Sequence, residues 1–213
     1  MDPVMLDAAI NALVTLLVVI DPIGLAPIFL ALTAGTPAPA RRRLAMRGIG
    51  IAAAVLVLFA LAGDAVLSFV GISMPAFRIA GGLLLFLTAL DMLFERRTER
   101  REKRGHDAEG GAADPSVFPL ATPLIAGPGA IATIILLMGA HEGDVAGQAM
   151  VLGVMAAVLA LTLVSLLMCG ALERVLRRTG VLVVTRLLGM LLAALSVQFV
   201  LDGLAAFGFV SHG

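Results

Sequence analysis

Asp21 stands in the middle of an apolar run, Ala8–Leu32. A carboxylate at that depth in a bilayer is expensive, and function is the default reading of one. It opens the string Asp21-Pro22-Ile23-Gly24-Leu25-Ala26-Pro27. A second string, Thr122-Pro123-Leu124-Ile125-Ala126-Gly127-Pro128-Gly129, lies inside the run Val117–Gly139. In each, a residue suited to cap a helix precedes a proline, and another proline follows five positions later. Proline inside a helix removes a backbone donor and clashes with the preceding turn, at a cost of about 3 kcal/mol. In lipid, such a break must face protein or a water-filled cavity. Asp or Thr at the N-cap with Pro at N1 is a favourable way to restart a helix. The pair Gly127-Pro128 offers a second break in the later string, and the pattern does not choose between them. Half-helix N-termini favour a carboxylate or another anion. Unwound carbonyls and Asp21 can hold an ammonium group, and Asp21 is also a candidate proton carrier. A zwitterion would satisfy both ends. The candidate binding residues are therefore Asp21, Pro22, Gly24, Pro27, Thr122, Pro123, Gly127, Pro128 and Gly129. The competing structural readings are a plain N-cap for Asp21 and plain kinks for the prolines.

Other polar residues within the apolar runs are weaker candidates. Arg78, Thr88, Arg186, Ser196 and Gln198 are candidates to line a pathway or form a gate. Ser and Thr also join helices in membranes without further function. Asp64 can pair with Arg78 across a short loop, and Asp91 lies near the end of its span. Gln198 and Asp202 share a helix face and suit hydrogen bonding to another helix. There is no H-E-x-x-H string and there are no paired cysteines, so no metal site or cofactor is expected, and an enzyme is the least favoured class. Cys169 reads as a small core residue.

The elements that must position these residues follow from composition. The chain has 213 residues, 60% of them hydrophobic and 14% charged. Its mean hydropathy is +1.05. A soluble domain is about 45–50% apolar, so this is an all-α membrane protein. The net charge of +0 argues against nucleic acid as a partner. A helix needs about 20 apolar residues to span the hydrocarbon core. Six runs qualify: Ala8–Leu32, Gly48–Val70, Ala76–Phe94, Val117–Gly139, Ala149–Leu172 and Leu187–Ala206. Met1-Asp2-Pro3 lacks the features of a cleaved signal, so the first run reads as a retained span. Arginines and lysines cluster at 41–47, 96–104 and 174–186, which puts the odd-numbered loops in the cytoplasm and both termini outside. Arg78 alone lies opposite. There is no Trp and no Tyr to form an interfacial belt.

The two halves repeat. The proline strings are offset by 101 residues. Arg78, Gly81 and Thr88 are followed 108 residues later by Arg186, Gly189 and Ser196. Three spans is an odd number, so the second half enters from the opposite face, as in many secondary transporters. The expected organisation is a first three-helix repeat over 1–94, a cytoplasmic linker over 95–116 and a second repeat over 117–213, with spans one and four broken.

The run from Asp21-Pro22-Ile23-Gly24 to Pro27-Ile28-Phe29 resembles the first-span signature of the MarC family, also called the small neutral amino acid transporter family. Phe77-Arg78-Ile79-Ala80-Gly81-Gly82, Pro123 to Ile131, and Gln198-Phe199-Val200-Leu201-Asp202-Gly203 are similar to its later signatures. The resemblance covers nearly the whole chain. It implies two inverted three-helix repeats of the LysE-like transporter fold and a place in the bacterial inner membrane. It also implies transport of small neutral amino acids such as glycine and alanine. The resulting expectation is a secondary transporter working by alternating access, with the proton as candidate coupling ion and a homo-oligomer as an option. The alternatives are an exporter of another small metabolite or drug, and a non-transporting membrane assembly factor.

Overall fold

A computed structural model describes residues 3–94 and 116–208, with side chains at 172–179 excepted. Most of the expected linker, the basic residues at 96–104, 174, 177 and 178, and the distal tail lie outside that description. Among the described residues all regular structure is helical: α1 (Pro3–Ile20), α2 (Pro22–Leu32), α3 (Ala38–Val70), α4 (Met74–Leu93), a bent segment (Ser116–Ile125), α5 (Pro128–Gly139), α6 (Val145–Leu167) and α7 (Cys169–Ala206).

Five stretches are long and apolar enough to cross a membrane: Pro3–Leu32, Ala38–Val70, Met74–Leu93, Val145–Leu167 and Gly180–Ala206. The bent segment and α5 together qualify as a sixth, bent by 55°. This sixth stretch runs alongside α3 in the same direction. Gly48 of α3 packs on Ser116 and Leu120, and Gly63 packs on Ile135, so equal steps along both chains stay in register. The boundary after α6 corrects the expected fifth span: Met168 ends α6 and Cys169 begins α7, inside the run that reads as Ala149–Leu172. Cys169 is buried, as a small core residue would be.

α3 has 33 residues. At 1.5 Å per residue it is about 50 Å long, well beyond the roughly 30 Å hydrocarbon core. Its first turns carry Arg41, Arg42, Arg43 and Arg47, which extend past the apolar part. At its other end Gly71 adopts φ 79°, a conformation costly for residues with a Cβ, and so lets the chain reverse into α4. Leu58, Leu61, Phe69, Leu84, Leu87, Met190 and Leu191 are exposed, as side chains facing lipid tails would be.

The largest helix–helix contact is between α4 and α7, which cross antiparallel. Glycine permits the approach. Gly82 lies against the backbone of Ser196 and the Val200 side chain, and Gly189 lies against Ala89, Met92 and Leu93. These two contacts mirror each other at an offset of 107 residues, which revises the 108-residue register that pairs Gly81 with Gly189. Gly81 instead packs on Leu136 and Ala132 of α5. The other contacts are also reciprocal. α1 and α2 pack on α6, while the bent segment and α5 pack on α3. Likewise α2 packs on α7, and α5 on α4.

The close approach makes a test. A Cβ at Gly82 would sit 2.8 Å from the Ser196 carbonyl oxygen, whereas one at Gly153 meets nothing within 4 Å. Gly82→Ala is expected to destabilise the protein by about 1–3 kcal/mol in a detergent melt, and Gly153→Ala to be neutral or slightly stabilising.

Candidate functional site

Span one breaks at Asp21. The residue has φ 57° and ψ 67°, the left-handed region, and among the described residues it is the sole non-glycine with positive φ. That conformation costs a typical L-residue about 1–2 kcal/mol, and Asp tolerates it because its short side chain bonds locally. The backbone N–H of Gly24 donates to Asp21 Oδ1 at 3.0 Å, so Asp21 is the N-cap of α2. The Leu25 N–H donates to the Asp21 carbonyl and closes the first turn. Pro22 has no N–H to offer the Val18 carbonyl, so the helical ladder ends there. Gly24 is required: a Cβ on it would collide with the Asp21 carboxylate. Asp21 is 1% exposed, so its carboxyl group is held inside the protein. Pro22 is the break, and α2 continues through Pro27.

Span four breaks differently. The backbone is extended at Phe118 and Thr122, and Phe118–Pro119 and Thr122–Pro123 are cis peptides. Thr122 is not a helix cap. Its hydroxyl donates to the Val117 carbonyl at 3.2 Å. The helix restarts at Pro128 with Gly127 as N-cap and without a side-chain cap. The first helical bond of α5 runs from Ile131 N–H to the Gly127 carbonyl, so the Gly129 and Ala130 N–H groups precede the helical ladder. Gly127 tolerates no Cβ, because the Pro123 carbonyl oxygen occupies that place. The structural counterparts are therefore Pro22 and Pro128, 106 residues apart, not the strings aligned at 101. The two offsets, 106 and 107, now differ by a single residue.

The end of α1 comes close to the restart of α5. A Cβ position at Gly129 lies 3.5 Å from Val19 and Leu85 and 3.8 Å from Thr88 Oγ1. The end of α1, two residues before Asp21, thus sits against the first turn of α5, with α4 closing the third side. α2 and α5 have 11 and 12 residues, about half of what a crossing needs. Chemically, the site has a carboxylate at one end and an uncapped helix N-terminus, partially positive, at the other. Apolar Val19 and Leu85 pack beside Gly129.

The remaining candidates divide. Thr88 is at the site, with its hydroxyl donating to the Leu84 carbonyl. Arg78 sits two to three turns before it on α4, half-buried. Ser196 belongs to the α4–α7 crossing, donating to the Ala193 carbonyl at 2.7 Å. Arg186 is exposed near the start of the apolar part of α7. The Gln198 amide donates to Asp202 Oδ1 at 2.7 Å within α7, so the expected bond to another helix is not the one made. Asp64 forms no ion pair with Arg78. It is exposed in a crevice shared with Glu142 and Gln148. Sequence reasoning missed Thr133, which is fully buried one turn beyond Gly129. A lone threonine in an apolar helix carries no distinguishing signal.

A family model described as "MarC family integral membrane protein" matches residues 6–207. A UPF0056 membrane protein of Aquifex aeolicus is 36% identical, covering 92% of this chain and 91% of that protein. The UPF0056 membrane protein YvbG of Bacillus subtilis is 34% identical over 94% of this chain and 95% of its own length. The UPF0056 inner membrane protein YhgN of Escherichia coli is 33% identical over 93% and 97%. No solved structure matches.

The cap at Asp21 separates two substitutions. Asn accepts the same hydrogen bond and tolerates the same left-handed backbone, so Asp21→Asn should fold. Asp21→Ala loses the cap and should be less stable than Asp21→Asn by about 1–2 kcal/mol in a detergent melt. Gly24→Ala, which drives a methyl into the carboxylate, is expected to melt below wild type as well.

Proposed function

The chain belongs to the MarC family of integral membrane proteins, and from that premise we propose that it is a secondary transporter of a small zwitterionic solute, a neutral amino acid of the glycine or alanine type. The observation that carries this reading is the approach of Val19, two residues from the buried Asp21 carboxylate, to the uncapped first turn of α5. The solute's carboxylate is assigned to the Gly129 and Ala130 N–H groups. Its ammonium group is assigned to Asp21, whose side chain already serves the positive end of α2. A carboxylate and a helix N-terminus acting on one solute would select a zwitterion over a simple anion or cation. The nearness of Val19, Leu85 and Thr88 to Gly129 argues against a large side chain there.

Alternating access follows from the proposed architecture: inverted repeats over 1–94 and 117–213, joined by a linker over 95–116. Exchanging the two halves maps the main helix contacts onto one another, and the offsets of 106 for spans one and four and 107 for spans three and six differ by a single residue. Both features are what an in-plane pseudo-two-fold axis would give. The axis would pass through the α4–α7 crossing, where two glycines let the halves rock. With the site on that axis, closing one side opens the other. The arginine-bearing start of α3 is assigned to the cytoplasmic face and both termini to the outside. The printed description of YhgN as an inner membrane protein fits that placement.

Counterflow in proteoliposomes tests the reading. With unlabelled alanine inside and labelled alanine outside, accumulation is expected to exceed that of protein-free liposomes, and glycine should compete. If no small neutral amino acid exchanges while the protein remains folded, the reading is wrong, and export of another solute becomes the next to test. Adding a pH gradient of either sign tests the proton as coupling ion.

A further inference from the structure

Thr133 is fully buried in α5, and its hydroxyl has no hydrogen-bond partner among the described residues. Four other threonines of the spans show what a helical hydroxyl does when nothing else claims it. Thr15 donates to Asn11, Thr33 to Phe29, Thr88 to Leu84 and Thr162 to Val158, each to the carbonyl four residues back. For Thr133 that carbonyl is Gly129, at the restart of α5, and the bond is not made. A buried hydroxyl left unsatisfied costs about 1–3 kcal/mol, so this one calls for a partner beyond the described residues, such as a solute or a water.

Its location says which partner. Gly129, Ala132, Thr133 and Leu136 follow the i, i+3, i+4, i+7 spacing of a single helix face. On that face Ala132 and Leu136 meet Gly81 of α4, and Gly129 meets Val19 and Leu85. Thr133 therefore stands one turn beyond the N–H groups assigned to the solute's carboxylate, on the face that α1 and α4 cover. A solute anchored at Gly129 and Ala130 would extend its side chain toward that turn.

We propose that Thr133 is a specificity-determining residue of the solute site, its hydroxyl pairing with a hydroxyl on the side chain of the transported amino acid. This rests on the transporter reading above and adds a ranking: serine over alanine, the two differing by one hydroxyl. Beside Gly129, Val19 and Leu85 are apolar, and the Thr88 hydroxyl already donates to the Leu84 carbonyl.

Thr133→Val keeps the shape and removes the hydroxyl, and Thr133→Ser keeps the hydroxyl. Counterflow with labelled serine and labelled alanine gives a KM for each. The ratio of serine KM to alanine KM is expected to rise about five- to tenfold in Thr133→Val, the worth of one hydrogen bond, and to stay near wild type in Thr133→Ser. A detergent melt without solute is the second readout. Because the hydroxyl has no partner there, Thr133→Val should melt at or above wild type, while the extra stabilisation that serine gives over alanine should vanish. An unchanged ratio would mean that the hydroxyl holds only a buried water, and would overturn the proposal. A solute-free melt well below wild type would overturn it too, by showing a structural role. If wild type moves neither amino acid, the transporter reading fails and this inference falls with it. If wild type transports and only the ratio is flat, the reading stands and this inference alone fails.

Discussion

Hydrocarbon offers no hydrogen bonds, and this one constraint organises the fold. An interrupted helix in a membrane must find partners for its freed backbone groups within the protein. At Asp21 the protein does so with the side chain itself: the carboxylate takes the Gly24 N–H, and the left-handed backbone lets α2 begin at once. The break must also be covered. Ile20, Leu25 and Leu16 have no exposed surface, and Val19 and Ala26 are nearly as buried. The rest of the packing can be read as enclosure of that spot. α6 and α7 cover span one, α5 meets the end of α1, and α4 closes over Gly129.

The same constraint separates the two breaks. Span one uses a charged cap and one sharp turn. Span four spreads its irregularity over ten residues and ends with glycine at the cap. The N-terminus of α2 already has its negative partner in Asp21, whereas the N-cap of α5, Gly127, supplies no side-chain cap. Under the proposed function, this asymmetry would give the site a direction and suit a two-ended solute.

Much of this was legible in the residues. Hydropathy alone locates the spans, because twenty apolar residues in a row have few other uses. Asp21-Pro22 announces a helix restart, since the N-cap and N1 preferences coincide there, and the structure places the restart at that pair. The later string was ambiguous for a physical reason. Thr122-Pro123 and Gly127-Pro128 both satisfy the local rules, and the choice depends on the close contact between Gly127 and the Pro123 carbonyl, which no local rule contains. That ambiguity propagated into the 101-residue offset. The 108-residue register slipped by one because Gly81 and Gly82 are adjacent, and only packing tells which one faces α7. Gln198 and Asp202 shared a face as expected, but spacing cannot say whether two side chains bond each other or a neighbouring helix. Thr133 was invisible because its distinction is a bond it does not make.

The central claim is that the place between Asp21 and the first turn of α5 is a solute site reached from both sides of the membrane. The most direct test is labelling of a Thr88→Cys variant, in a Cys169→Ala background, by a membrane-impermeant thiol reagent applied to each face of sealed vesicles in turn. Thr88 is only partly buried and lies beside Gly129. The account expects reaction from both faces, slowed by alanine or glycine from either side. A folded protein whose cysteine stays unreactive from both faces, or reacts at a rate no small amino acid alters, would contradict it.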